Sequence, residues 1–103
     1  MIHARVVRIR QSGDPSVLEI GDASVRDPGF GELLVAVKAA GVNRADVMQR
    51  KGLYPAPQGV VEDVPGLEYA GVVEVVGAGV TSFSPGDRVM GIVGGGAMST
   101  RVV

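Results

Sequence analysis

An amide, a carboxylate and a phenol stand close together in the sequence at Asn43, Asp46 and Tyr54. The chain around them has two tyrosines, two phenylalanines and no cysteine. An amide both donates and accepts hydrogen bonds, whereas an ionised carboxylate only accepts. A phenol in water, with a pKa of about 10, stays protonated at neutral pH and can donate to a carbonyl oxygen as negative charge grows there. The same residues also have a structural explanation. Asn43 is a good helix N-cap, and Asp46 stands where the acid of a capping box stands. Gly52 is placed to end that helix, after Arg50 and Lys51, whose charge suits a helix C-terminus. On residue types alone, a reactive cluster and a well-capped helix both remain open.

The elements that must position these groups are mostly short strands. Sixteen glycines and six prolines punctuate the 103 residues. His3 to Arg10 alternates loosely and reads as a strand, and Val17 to Ile20 as a second after the turn signal Ser12-Gly-Asp-Pro15. Asp27 to Gly31 is a turn before the strand Glu32 to Ala40, whose Leu33, Val35 and Val37 share one face. A helix spans Asn43 to Lys51, and an exposed loop rich in proline and glycine runs from Tyr54 to Gly66. Glu68 to Val76 carries valines on both faces, so both sides are expected to be covered. Ser84-Pro-Gly-Asp87 fits a type II turn. Arg88 to Val93 and Ser99 to Val103 complete the set, hinged at Gly94 to Gly96. Many short strands and one or two short helices predict a mainly β fold, a partly open β-barrel.

Bulk properties remove several function classes. Ten basic residues against eleven acidic ones give no electrostatic reason to bind nucleic acid or an anionic membrane. The apolar stretches are too short and too interrupted to span a bilayer as a helix. Nothing after Met1 resembles a signal peptide, and the absence of cysteine fits a cytoplasmic location and excludes thiolate chemistry.

Four blocks resemble one family in its own order. They are Gly31 to Asp46, containing Ala40-Gly-Val-Asn-Arg-Ala-Asp46; Gly52-Leu-Tyr-Pro55; Pro65-Gly-Leu-Glu-Tyr-Ala-Gly-Val-Val-Glu-Val-Val-Gly77; and Pro85-Gly-Asp-Arg-Val-Met-Gly91. Together they resemble the N-terminal GroES-like domain of the zinc-independent quinone oxidoreductases, a branch of the medium-chain dehydrogenase/reductase superfamily. The resemblance implies hydride transfer from NADPH to a quinone or an enone. It also makes Tyr54 the proton donor, by analogy with a Gly-x-Tyr tyrosine of related enoyl reductases. Asn43 and Asp46 match positions near the nicotinamide or its ribose, and Met48 and Leu67 match positions around the acceptor pocket. Met48 stands where many relatives carry a second tyrosine.

The same resemblance argues against a metal. Zinc-dependent relatives carry Cys where Asn43 stands and Gly-His-Glu where this chain has Gly66-Leu67-Glu68. A catalytic zinc needs about three thiolate, imidazole or carboxylate ligands, and Glu68 alone remains. His3, the single histidine, is expected to be a plain surface residue. Two glycine-rich stretches, Gly77-Ala-Gly79 and Gly94 to Gly96, lack the helix or the Lys-Ser/Thr pair that a phosphate cradle requires.

With no cofactor-phosphate site here, the expectation is an incomplete N-terminal catalytic domain (residues 1–103) of a longer reductase, its Rossmann domain absent and the piece alone inactive. Unpaired backbone and exposed valines near Val102 and Val103 would favour a homodimer. Two alternatives are a trans-2-enoyl thioester reductase domain and a non-enzymatic GroES-like assembly module.

Overall fold

The structure, a computed structural model, describes all 103 residues. Strands β1 (Ile2–Ile9) and β2 (Leu18–Val25) form an antiparallel pair, joined through a 3₁₀ turn at Pro15–Val17. Strand β3 (Leu33–Ala40) leads into helix α1 (Arg44–Arg50), followed by β4 (Glu68–Val76), β5 (Arg88–Ile92) and the short β6 (Arg101–Val102). The larger sheet has the order β5-β4-β3-β6. It is stitched to β1 by the Val6–Ser99 bridge, by Thr100 N–H on the Arg5 carbonyl at 2.8 Å and by Val7 N–H on the Met98 carbonyl at 2.9 Å. The strands therefore curl in one series from β2 through β1, β6, β3 and β4 to β5. No strand joins β5 back to β2, so the mainly β, partly open barrel is as expected.

The core fills the inside of that curl. Val35 and Val73 are completely buried, with Ala4, Val6, Val17, Leu34, Val64, Ala97 and Val102 around them. Each buried valine or leucine contributes about 1.5–3 kcal/mol of transfer free energy. A glycine lets β3 and β4 approach closely at one point of their ladder. At Gly71, a side chain would collide with the carbonyl of Ala36 across the β3–β4 ladder. The turn at 84–87 closes with Asp87 N–H on the Ser84 carbonyl at 3.1 Å, and Gly86 takes φ +95° as a type II turn requires.

Several strand-level expectations change. Strand β2 continues to Val25, well beyond Ile20, because β1 supplies a full backbone ladder although Gly21, Asp22 and Ser24 break the apolar pattern. In β3 the adjacent residues Leu34 and Val35 are both buried, since register shifts between Leu34 and Val35 and again before Ala39 re-aim the side chains. Strand β4 is not covered on both faces: Val75 is 44% exposed, and Glu68 and Ala70 face solvent. Val64, Pro65 and Gly66 are buried at the end of the otherwise exposed loop. The final strand is only two residues long. Val102 is buried against β3 rather than exposed, and Val103 is half-buried, because the N-terminal strand lies beside this segment. The free edges of the curl belong to β5 and β2 instead.

The turn that launches β3 is held by a charged clasp. Glu32 accepts from Arg26 Nη2 at 2.7 Å and from the Gly29 N–H at 2.8 Å. The Arg26 hydrogen bond, with the Gly29 amide second, holds the Glu32 carboxyl at about 2, below its ordinary 4.5. A carboxyl depressed in the folded state stabilises above its unfolded pKa and stops doing so as pH falls through the folded one. The clasp therefore acts fully above about pH 4.5 and is lost towards pH 2. Glu32→Gln should lower the melting temperature at neutral pH and match the parent near pH 2; an equal deficit at both would refute this.

Candidate functional site

Helix α1 has the caps its sequence calls for. Asn43 is the N-cap, and the helix is only Arg44–Arg50 long. At the other end Leu53 N–H reaches the Met48 carbonyl at 2.8 Å and Gly52 N–H the Gln49 carbonyl at 3.0 Å, with Gly52 at φ +82°. This is a Schellman motif, and glycine adopts its left-handed position without a Cβ penalty. The motif fixes how the chain leaves the helix two residues before Tyr54.

Asp46 does more than cap. Its carboxylate is 5% exposed, with Oδ2 accepting the Asn43 N–H at 2.8 Å and Oδ1 accepting the Gly66 N–H at 2.9 Å. One side chain thus pins the start of the helix to the segment that precedes β4. Gly66 is tied in turn to the far end of the chain: Ala97 N–H donates to its carbonyl at 3.1 Å, and Met98 N–H to that of Pro65 at 2.9 Å. Gly66 has φ +113°, and a Cβ there would lie 2.5 Å from the Met98 nitrogen. A side chain would strain both the backbone and this junction. The long sequence separation gives no pattern by which composition or periodicity could reveal the Asp46–Gly66 tie.

The structure brings Asn43, Asp46 and Gly66-Leu67 together through these bonds, and α1 with its cap carries Met48 and Tyr54 on the same body. The Asn43 side chain faces the Asp46 N–H in a capping box, and no hydrogen bond engages its NH2 group. Met48 and Leu67 are half-buried. Tyr54 is 39% exposed, and no hydrogen bond links its hydroxyl to Asn43, Asp46 or Glu68. None of these five residues lines the larger depressions of the surface. The nearest in the chain, a groove of about 820 Å³, is lined by Ala39 to Gly41, Glu68 to Ala70 and Met90 to Ile92. It opens beside the strand ends that lead to Asn43 and Leu67.

No three His, Cys, Asp or Glu side chains cluster in an arrangement that could hold a metal ion. His3 is exposed, its Nε2 lying 2.7 Å from Asp22 Oδ1 on the outer hairpin. Gly77 and Gly79 sit in the turn after β4 with no helix behind them, so no helix N-terminus is available for a pyrophosphate.

The Alcohol dehydrogenase GroES-like domain family matches residues 29–102. The chain belongs to this family. Within it, a quinone oxidoreductase from Pseudomonas aeruginosa is 44% identical over 86 residues, 84% of this chain and 26% of that protein. A phthioceranic/hydroxyphthioceranic acid synthase from Mycobacterium tuberculosis is 40% identical over 96 residues, 93% of this chain but 4% of the synthase. Among solved structures, the JamJ enoyl reductase in its apo form superposes with a TM-score of 0.86 at 27% identity, covering 96% of this chain and 32% of that one. These likenesses place the chain with the N-terminal domains of the medium-chain dehydrogenase/reductase superfamily, in its quinone oxidoreductase branch. The chain spans a small part of the curated relatives that it matches. No helix is long and apolar enough to cross a membrane.

Proposed function

We propose that this GroES-like domain forms the acceptor side of a zinc-independent NADPH:quinone oxidoreductase active site. The observation that carries the reading is the Tyr54 hydroxyl, free of internal hydrogen bonds and partly exposed just beyond the Gly52 cap, in a chain similar to a quinone oxidoreductase. The bound nicotinamide supplies a hydride to the conjugated carbonyl. Tyr54 Oη donates a hydrogen bond, and then its proton, to the acceptor oxygen as the carbonyl π electrons settle there. The Asn43 amide orients the nicotinamide side. Asp46, its two oxygens engaged by backbone N–H groups, acts on the cofactor side by fixing where Asn43 stands. Met48 and Leu67 present apolar surface to a flat acceptor. In this reading residues 1–103 are one part of a longer cytoplasmic, homodimeric reductase, and the cofactor's phosphates are held by a separate domain.

A second reading keeps the residues and changes the acceptor to a trans-2-enoyl thioester, with Tyr54 protonating the enolate. The likeness to the JamJ enoyl reductase favours it specifically. The two part on one assay. Native protein carrying this domain is purified from its own cells with an antibody, and NADPH consumption is followed with p-benzoquinone and with crotonyl-CoA. A kcat/KM at least about tenfold higher for the quinone is expected. The reverse preference transfers the proposal to the thioester, and no turnover with either defeats both.

A further inference from the structure

We infer that the free edge of β5 is a self-association surface, on which two copies of this domain pair antiparallel about a two-fold axis through Met90. The inference is independent of the reaction proposed above. Strand β5 ends the sheet, with β4 on one side and nothing on the other. The phase of its ladder follows from Val73 N–H on the Asp87 carbonyl and Val93 N–H on the Leu67 carbonyl. Odd-numbered residues of this segment therefore bond inward. The N–H and C=O groups of Arg88, Met90 and Ile92 point out of the edge. A two-fold through Met90 would satisfy both backbone groups of each of these residues.

The side chains suit the same register. Met90 and Ile92 are 85% and 86% exposed, and no charge or proline interrupts Val89 to Ile92. Such an edge lacks the usual guards against strand addition. The other free strand, β2, carries Glu19 and Asp22, so its edge is guarded. Arg88 and Glu68 are exposed and take part in none of the monomer's ion pairs. They lie at opposite ends of the β4–β5 ladder, where Glu68 pairs Ile92 and Val72 pairs Arg88. The two-fold sets the partner's Arg88 opposite Ile92, two strand spacings, about 10 Å, from Glu68. Opposite charges thereby face one another across each end of the junction, and no like charges are brought together there. The apolar groove of about 820 Å³ beside Met90 and Ile92 lies on this same face.

Sedimentation velocity of the 103-residue chain across a concentration series tests this. The expected parent is a dimer of 10.6 kDa chains that dissociates on dilution. Met90→Lys and Met90→Glu, at an exposed position, each place like charges face to face on the axis. Each should self-associate at least about tenfold more weakly. An equimolar mixture of the two should restore the dimer, a result that loss of folding could not produce. A parent that is monomeric throughout, Met90→Lys dimers as tight as the parent's, or species that grow without limit by pairing β5 to β2 would each overturn it.

Discussion

Asp46→Ala is expected to destabilise the domain by about 3 kcal/mol. The carboxylate is almost wholly buried and accepts two backbone N–H groups, from Asn43 and Gly66. Alanine leaves both donors without an acceptor, and an unsatisfied buried donor costs about 1–3 kcal/mol. The desolvation of a buried charge, which alanine does not incur, offsets part of the sum. Against a typical stability of about 5–15 kcal/mol, such a loss is large. Urea unfolding measures it directly. Asp46→Asn keeps one acceptor oxygen and should retain part of the stability. A loss below about 1 kcal/mol for the alanine variant would mean that water replaces the carboxylate, and the tie would not be what holds the helix to Gly66.

Tyr54→Phe, made in the complete enzyme, should lower kcat by about 100-fold while leaving KM nearly unchanged. The substitution removes one oxygen and keeps the ring, so stacking and shape survive. Because Tyr54 is partly exposed and unbonded, folding should be indifferent to the change. A raised KM at constant kcat would show that Tyr54 binds the acceptor without donating to it. Unchanged kinetics with a quinone and with an enoyl thioester would remove Tyr54 from the chemistry.

Local signals are legible in the sequence because their physics is local. The cap at Gly52 and the turn at Gly86 each follow from a left-handed position that glycine occupies freely, and the neighbours of each are close in sequence. The helix limits follow from Asn43, Asp46 and Gly52 for the same reason. Strand facing was less legible. The register of β3 against β4 shifts between Leu34 and Val35, where Glu74 of β4 is the extra residue; both Leu34 and Val35 are inside, and nothing in an alternation pattern announces such a shift. The extent of β2 depends on the ladder β1 offers it, which its polar residues conceal. Of the candidate site, residue types were visible but partnerships were not. Asp46 and Gly66 are twenty residues apart, and only the fold makes them neighbours. The burial of Val102 has the same origin, a strand contributed from the opposite end of the chain.

The order of the curl also sets a timetable for synthesis. The last of these six strands in chain order, β6, is not at a margin but between β1 and β3, and Thr100 meets Arg5 across ninety-five residues. A chain emerging from the ribosome can pair β1 with β2, and later β3 with β4 and β5, but the two halves have no strand to join them until residues 98–102 appear. Closing so long a loop comes late and costs entropy that grows only slowly with its length. Until then the inner faces of both halves, with Val6 on one and Val35 and Val73 on the other, stay open to water. Residues 1–97 are thus two hairpin-like pieces, which residues 98–102 join into one body.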